Sequence, residues 1–293
     1  MKNKIFLVLI AFICSLSGNI YAQVVDDDEQ SANNFDSFYE KTIDRKAKKP
    51  FEYPYVREAD IVWAQRVWRV VDFREKMNQP FYYPVVGDEN GDQGRENLFT
   101  VLDKALKEGS IKCYKDDMFR EVADYNKILA DAGNSKTVPI MEVDMDGIEY
   151  ERDSTVYTAL RPDDVTSMRI KEDWYVDKQR SVRDVRIMGF ALIYMKQRDD
   201  GEIAPFPLGW IRYNDPAVRN ILANSEVYNP KNDVERRSYD DVFVKRMFTS
   251  YIIRTSNVYN RAISQYLTGM DALFESQNIE EDIFNLEQDM WEY

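Results

Sequence analysis

The chain has 293 residues, of which 52 are acidic and 39 are Lys or Arg, so its formal net charge is −13. This acidity leaves no net attraction for anionic partners, and we expect neither nucleic acid nor an anionic membrane surface to be bound. The chain contains no histidine, which excludes Ser-His-Asp and Cys-His catalytic systems and the usual zinc sites. It also lacks the glycine-rich phosphate-binding and nucleophile-elbow motifs.

The first segment, Met1–Ala22, has the plan of a secretory signal peptide. Lys2 and Lys4 precede an apolar run that ends near Cys14, and a polar stretch then leads to the expected cleavage point. The apolar run is shorter than the roughly 20 residues of a membrane-spanning helix, and no later segment is long and apolar enough, so we expect an exported chain with no membrane span. Cys14 leaves with the signal peptide. Cys113 then has no disulfide partner within the chain and is expected to be buried.

Residues 23–50 are predicted to form a flexible or extended N-terminal arm ahead of the folded domain. An acidic cluster begins at Asp26, a basic cluster occupies Arg45–Lys49, and few apolar residues lie between them. Such a segment cannot bury enough apolar surface to fold alone. Three aromatic residues are predicted to pin the arm onto a neighbouring subunit: Phe35, Phe38 and Tyr39. A disordered leader without such a contact is the alternative.

Four elements are predicted in the first part of the folded domain, which is expected to span residues 51–293. Arg57–Met77 carries apolar residues at helical spacing and predicts an amphipathic helix. Gln79–Val86 predicts a short extended segment. Leu98–Leu106 predicts a helix that ends at Gly109. Ile111–Tyr114 predicts a brief strand.

The stretch around Asp146 and Gly147 supports two interpretations. Extended patterns precede and follow this pair, which predicts a β-hairpin that turns there. The same stretch also places five residues at positions of a calcium-binding EF-hand loop: Glu142, Asp144, Asp146, Gly147 and Asp153. Glu142 replaces the usual Asp, Asp153 is shorter than the usual bidentate Glu, and the flanks do not predict helices. The hairpin is therefore preferred.

The second half of the chain predicts most of the sheet. Thr166–Val176, Val182–Lys196 and Leu208–Tyr213 have strand patterns and follow one another without crossover helices, which favours antiparallel pairing. Ser238 and Asp241 predict the start of a helix that continues through Ile252. The helical pattern then resumes and extends to Leu267. The predicted fold class is therefore α+β, a single domain with a mainly antiparallel sheet and packed amphipathic helices.

Two regions supply the remaining candidates for protein contacts. After Gly269, which is predicted to break the preceding helix, the tail has apolar residues among acidic ones and predicts a helix that docks on a partner or on the core. The block Lys171–Phe190 combines aromatic and basic residues, a pairing typical of interfaces. The interface candidates in these regions are Trp174, Tyr175, Arg180, Arg183, Trp291 and Tyr293. Burial of the aromatic residues in the core is the alternative interpretation.

Five long stretches resemble the GldN/PorN family of gliding motility and type IX secretion. They begin at Arg57 (READIVWAQRVWRVVDFREKMNQPFYYP), Leu98 (LFTVLDKALKEGSI), Lys171 (KEDWYVDKQRSVRDVRIMGF), Val227 (VYNPKNDVERRSYDDVFVKRMFTSYI) and Ser276 (SQNIEEDIFNLEQDMWEY). They occur in the expected order, and the resemblance covers nearly everything after about Phe51. The arm lies outside it.

The resemblance implies a structural subunit of the type IX secretion machinery in the periplasm, at the inner face of the outer membrane. It implies a ring formed by copies of this chain with an outer-membrane lipoprotein, GldK/PorK, and contact with the periplasmic region of the motor-shaft protein GldM/PorM. It carries over no cofactor and no catalytic residue. Two alternatives stay open: a periplasmic carbohydrate-active enzyme that uses an Asp/Glu pair, and a calcium-dependent binding module that uses Asp144 and Asp146.

Overall fold

The structure is a computed structural model that describes residues 48–85, 95–132, 134–143, 149–158, 160–197, 203–229, 231–232 and 234–289. The described residues belong to one compact unit, Lys46–Tyr293. The predicted signal peptide and nearly all of the predicted arm lie outside the described residues.

A six-stranded antiparallel sheet forms the centre of this unit. In chain order the strands are β1 Ile61–Asp72, β2 Cys113–Tyr114, β3 Asn134–Val143, β4 Glu149–Thr158, β5 Val165–Asp177, β6 Val182–Gln197, β7 Ile203–Arg212 and β8 Tyr251–Thr255. The six-stranded sheet has the order β2-β7-β6-β5-β1-β8, and all of its neighbouring strands are antiparallel. The separate pair β3–β4 is also antiparallel and confirms the predicted hairpin strands. Its turn lies outside the described residues.

Six helices are described beside the sheet. They are α1 Gln79–Tyr82, α2 Leu98–Lys107, α3 Tyr125–Ala132, α4 Pro216–Asn224, α5 Tyr239–Val244 and α6 Met270–Asp289. The predicted end of α2 is confirmed, because Gly109 follows it with a φ of 73°. The capping box of Ser238 and Asp241 starts α5 as predicted. Together, the helices and the antiparallel sheet confirm the α+β fold class.

The helix predicted over Arg57–Met77 is wrong, because most of this segment is strand β1. Val67 and Val71 pack on the helix-covered face of the sheet, whereas Trp68 packs on the opposite face with Trp210. A strand that is apolar on both faces places apolar residues at spacings that also fit one side of a helix. Its β-branched and aromatic residues are what favour the strand. The extended segment predicted over Gln79–Val86 is wrong at its start, where α1 forms with Pro80 in its first turn.

The long helix predicted from Ser238 to Ile252 is also wrong. α5 ends at Val244, Arg246 has a left-handed φ of 51°, and the chain then enters the edge strand β8. The predicted continuation to Leu267 contains only the 3-10 turn Ile263–Gln265. The sequence YIIRT of β8 is rich in β-branched and aromatic residues, which suit a half-buried pleated surface.

The helix-covered face of the sheet carries two clusters of apolar residues. The aromatic core lies under α1, α2, α4 and α5, and its large buried rings are Phe81, Phe190, Tyr213, Tyr239 and Phe243. The C-terminal cluster lies under α6, and its members are Val67, Ile252, Ile263 and Ile283, with Trp63, Trp174 and Ile279 packed against them. The sheet therefore supports two separate packing regions on one face.

Cys113 is buried, as predicted, where the short strand β2 meets β7. Its Sγ atom lies 3.6 Å from the carbonyl oxygen of Leu208, and burial raises the pKa of the thiol to about 11. The neighbouring Gly209 has a φ of 109°, and a Cβ atom there would lie 2.1 Å from the Cys113 sulfur. Only glycine fits this position without moving the buried thiol.

Candidate protein-interaction site

A layer of charged side chains separates the two clusters on the helix-covered face. On β1, Arg69 lies between Val67 of the C-terminal cluster and Val71 of the aromatic core. On β5, Glu172 lies between Trp174 and Ile170 in the same way. The side chain of Glu172 is completely buried, and that of Arg69 is nearly so. We call the set Arg69, Glu172, Trp174, Arg183, Arg246 and Glu280 the polar layer.

Glu172 is the centre of the polar layer. Its two carboxylate oxygens accept hydrogen bonds from the Nη1 and Nη2 atoms of Arg246 at 2.7 and 3.2 Å. Trp174 donates its indole N–H to the same carboxylate at 3.0 Å, and the Nε atom of Arg69 lies 3.5 Å away. The second acid, Glu280 of α6, accepts a hydrogen bond from Arg69 Nη2 at 2.8 Å. The buried guanidinium group of Arg69 and the half-buried one of Arg246 are thus matched by two carboxylates, which compensates the cost of burying them.

The indole ring of Trp174 lies among three guanidinium groups. The Cζ atoms of Arg69, Arg183 and Arg246 are 5.5, 5.1 and 5.3 Å from its centroid. Arg183 also donates a hydrogen bond from Nη1 to the carbonyl oxygen of Ile283 on α6 at 3.1 Å, and its Cζ atom lies 5.9 Å from the ring centroid of Phe284. Cation–π contacts and charged hydrogen bonds therefore attach α6 to the sheet, in addition to apolar packing.

Arg246 reaches Glu172 from a strained backbone position. Its φ of 51° lies in the left-handed region, which is unfavourable for a residue with a Cβ atom. The turn ends α5 and brings the guanidinium group over Trp174 and, at 5.2 Å, over the ring of Phe248. The bidentate ion pair with a buried carboxylate offsets the strain. Arg246 therefore links the C-terminal cluster to the aromatic core.

The surface beside the polar layer exposes several large apolar residues. They belong to α6 and to the segment that leads into it: Val258, Tyr259, Tyr266, Met270, Leu273, Phe274 and Phe284. Arg261 lies between the rings of Tyr259 and Tyr266, with its Cζ atom 4.9 and 4.8 Å from their centroids. Exposed apolar residues that lie close together mark surfaces used for protein contacts.

The opposite face of the sheet is covered in part by the loop Lys115–Val122. Lys171 is buried here and donates a hydrogen bond from Nζ to the carbonyl oxygen of Asp117 at 2.6 Å. Its Nζ atom also lies 5.7 Å from the ring centroid of Trp68 and 5.5 Å from that of Phe119. Burial lowers the pKa of Lys171. The lysine fixes the loop to the sheet, a role that the charge pattern of the sequence did not predict.

A family model described as "Gliding motility associated protein GldN" matches residues 56–292. This match covers most of the chain and includes every helix and strand described above. The chain belongs to the GldN family. None of the curated proteins matches the chain.

The GldN-family match agrees with the resemblance found in the sequence, and its range includes the residues of the polar layer, α6 and the sheet. The match excludes the predicted arm, which precedes residue 56. No helix in the described ranges has the length and apolarity needed to cross a membrane.

The predicted contact residues of this GldN-family chain occupy different environments. Trp174 and Arg183 lie in the polar layer, half-buried under α6. Tyr175 is buried on the opposite face, where its hydroxyl donates a hydrogen bond to Asp184 at 3.0 Å, and burial raises its pKa. Arg180 is exposed and lies 3.6 Å from Asp177. The other candidates, Trp291, Tyr293, Phe35, Phe38 and Tyr39, lie outside the described residues. A partner contact at any of these residues stays a prediction.

Two of the carboxylates that line the clefts of the sheet accept hydrogen bonds. Asp173 accepts two from Arg66 at 2.6 and 2.8 Å, and Asp117 accepts one from the indole N–H of Trp68 at 2.9 Å. Within the described ranges, no group of three or more Cys, Asp or Glu side chains is arranged to hold a metal ion. The residues of the alternative calcium site, Asp144 and Asp146, lie outside those ranges.

Proposed function

We propose that this GldN-family protein is a structural subunit of the type IX secretion and gliding machinery in the periplasm. In this proposal it forms a ring with an outer-membrane lipoprotein of the GldK/PorK kind and with copies of itself. It also links that ring to the periplasmic region of a GldM/PorM-like shaft protein. The observation that carries the proposal is the family match over residues 56–292.

The geometry is consistent with a scaffold that works through its surface. α6 is fixed to the sheet by the polar layer, while Met270, Leu273 and Phe274 remain exposed. A rigid helix that displays apolar residues provides a surface for another protein at little entropic cost. The exposed Arg180, at the turn between β5 and β6, offers a charged contact on a second surface.

Co-purification with the lipoprotein tests the proposal directly. The mature chain, residues 23–293, should be retained by the tagged lipoprotein partner. A chain that lacks residues 23–50 should fold equally well and show whether the arm is required for assembly. Failure of the intact mature chain to bind the lipoprotein would overturn the proposed function.

The contribution of Arg180 is tested in the same assay. Arg180→Gln should weaken co-purification with little change in the unfolding transition, because the side chain is exposed and makes one ion pair, with Asp177. Lys76→Gln, at an exposed residue in the loop after β1, is the matched control with the same change of charge. Equal retention of the two variants would remove Arg180 from the interface.

A further inference from the structure

A cleft of about 660 Å³ lies on the opposite face of the sheet, near the start of β1. Its apolar lining includes Ala64 and Trp68 of β1, Tyr175 of β5, Met188 of β6 and Met118 of the covering loop. A cleft of this size is in the range that holds large side chains or small ligands. We call it the edge cleft, because it lies beside the first residues of β1, which β8 does not cover.

The edge beside this cleft has no described strand against it. β5 pairs with β1 from Ile61 onwards, but β8 pairs with β1 only over Val67–Val70. Beyond that, Arg66 directs its backbone towards the β8 side, where its carbonyl oxygen accepts the N–H of Ser256 at 2.8 Å. Ala64 is exposed and points its N–H and C=O in the same direction, because the orientation repeats every two residues of a strand. An edge of this kind can accept a further strand.

The edge cleft is basic, although the chain as a whole is strongly acidic. Arg66, Arg186 and Arg254 line it, together with one acid, Asp173, which pairs with Arg66. Arg186 donates its hydrogen bond to the carbonyl oxygen of Pro54, and Arg254 donates to the side chain of Asn260. Among the described residues, neither of these two arginines forms an ion pair, and the Nε atom of each is buried without a hydrogen bond. Two positive charges at the cleft are thus left without a matching carboxylate.

One segment of the chain has the complementary chemistry. Residues Asp26–Glu40 contain carboxylates and no Lys or Arg; the acidic residues are Asp26, Asp27, Asp28, Glu29, Asp36 and Glu40. The same segment contains Phe35 and Tyr39, which would share one side of an extended strand because they are four residues apart. Fully extended, the segment would span about 50 Å, which is ample for the length of the edge.

We propose that Asp26–Glu40 of a second copy adds a strand to the open edge of β1 and places Phe35 and Tyr39 in the edge cleft. This inference rests on the proposed ring, in which each copy has a neighbour. Backbone hydrogen bonds to Ala64 supply the pairing, and the two aromatic rings contact Met118 and Met188 of the cleft. Carboxylates of the segment neutralise Arg186 and Arg254.

Photocrosslinking in the mature chain tests this placement. A benzophenone amino acid at Phe35 should crosslink to Met118 or Met188, as identified by mass spectrometry. Mixing isotope-labelled and unlabelled copies distinguishes crosslinks between copies from those within one. We expect crosslinks between copies, at a yield that falls at high salt because the contact includes exposed charges. The measurement is made both on the purified chain and on its complex with the lipoprotein.

Substitution of Ala64 provides the matched pair of variants. Ala64→Pro removes the outward N–H and should lower the yield of crosslinks by about fivefold or more. Ala64→Val keeps that N–H and should lower it much less. The unfolding transition of both variants shows whether the domain remains folded. If Ala64→Pro unfolds the domain, Arg254→Glu replaces it and should cause a similar loss by reversing the charge.

The inference is overturned if the crosslinks form only within one copy, if they map outside the edge cleft, or if neither Ala64→Pro nor Arg254→Glu reduces them. Binding to the lipoprotein is scored separately. A chain that binds the lipoprotein without such crosslinks keeps the proposed function and loses this inference. Crosslinks between copies without lipoprotein binding would support this inference and overturn the proposed function.

Discussion

The two packing regions on the helix-covered face of the sheet are held by different forces. In the aromatic core, Phe243 lies 5.5 Å from the ring of Phe190, 5.5 Å from that of Phe81 and 5.6 Å from that of Tyr213. Under α6, by contrast, the polar layer fixes the helix through guanidinium groups, a buried carboxylate and one indole ring. The first region is stabilised mainly by burial of apolar area. The second depends on matched charges, and removal of one partner leaves another uncompensated.

The aromatic core is expected to show the largest effect of a single substitution. Phe243→Ala removes a fully buried ring that touches several others, and it should lower the free energy of unfolding by about 3–5 kcal/mol. Urea denaturation followed by circular dichroism measures this change. The loss should be nearly independent of salt, because no charge is involved. A loss below about 1 kcal/mol would show that the aromatic core is not packed as described.

The polar layer is tested by Glu172→Gln. This change leaves Arg69 and Arg246 with Glu280 as the one remaining carboxylate of the layer, and it should destabilise the protein by about 3 kcal/mol. Glu280→Gln is the control, because that side chain is 55% exposed and its loss should cost at most about 1 kcal/mol. Urea denaturation of the two variants compares them. Equal losses would contradict the central place of Glu172.

The attachment of α6 is tested by Arg183→Ala. The substitution removes a hydrogen bond to the backbone of α6 and two cation–π contacts, which together should cost about 1–2 kcal/mol. Hydrogen exchange should show faster opening of α6 than of β5 and β6. Arg180→Ala, which removes a nearby exposed arginine, should leave the exchange of α6 unchanged. Uniformly faster exchange across the sheet would argue against a local attachment.

The sequence predicted these two regions to different degrees. The predicted ranges of β5 and β6 agree with the observed strands to within one residue at each end, whereas β7 begins at Ile203, five residues before its predicted start. β1 was mistaken for a helix, because Val67, Trp68 and Val71 fit a helical stripe while also filling both faces of a strand. Because β1 was predicted as a helix, the sequence did not indicate which face of the sheet Arg69 occupies. The polar layer was therefore not predicted.

The polar layer could not have been assembled from sequence patterns. Glu172 and Arg246 are 74 positions apart, and Arg183 lies 100 positions from its acceptor Ile283. No local periodicity relates residues at such separations. Trp174 and Arg183 are predicted interface residues. In the structure they help to hold α6 against the sheet, and a partner contact at either residue stays a prediction.

Alkaline pH should affect the aromatic core through its buried tyrosines. Burial raises the pKa of Tyr213 and of Tyr239 well above the ordinary value of a phenol. In the unfolded chain each phenol releases its proton near pH 10. The unfolded state then binds fewer protons than the folded state, so the free energy of unfolding falls as the pH rises through this range. Below about pH 9 the contribution of each phenol is fully present.

Tyr239→Phe removes one of these buried phenols and therefore isolates its contribution to the loss of stability at alkaline pH. The wild-type protein should lose about 0.8 kcal/mol more than the variant between about pH 9 and pH 10.5, as measured by urea denaturation at each pH. Lys171 works in the opposite direction, because burial lowers its pKa, but it is present in both proteins and cancels in the difference. Tyr259→Phe, at a residue that is 76% exposed, is the control and should follow the wild type. If Tyr239→Phe also followed the wild type, the phenol of Tyr239 would have to be accessible to water, and the aromatic core would be more open than the polar layer beside it.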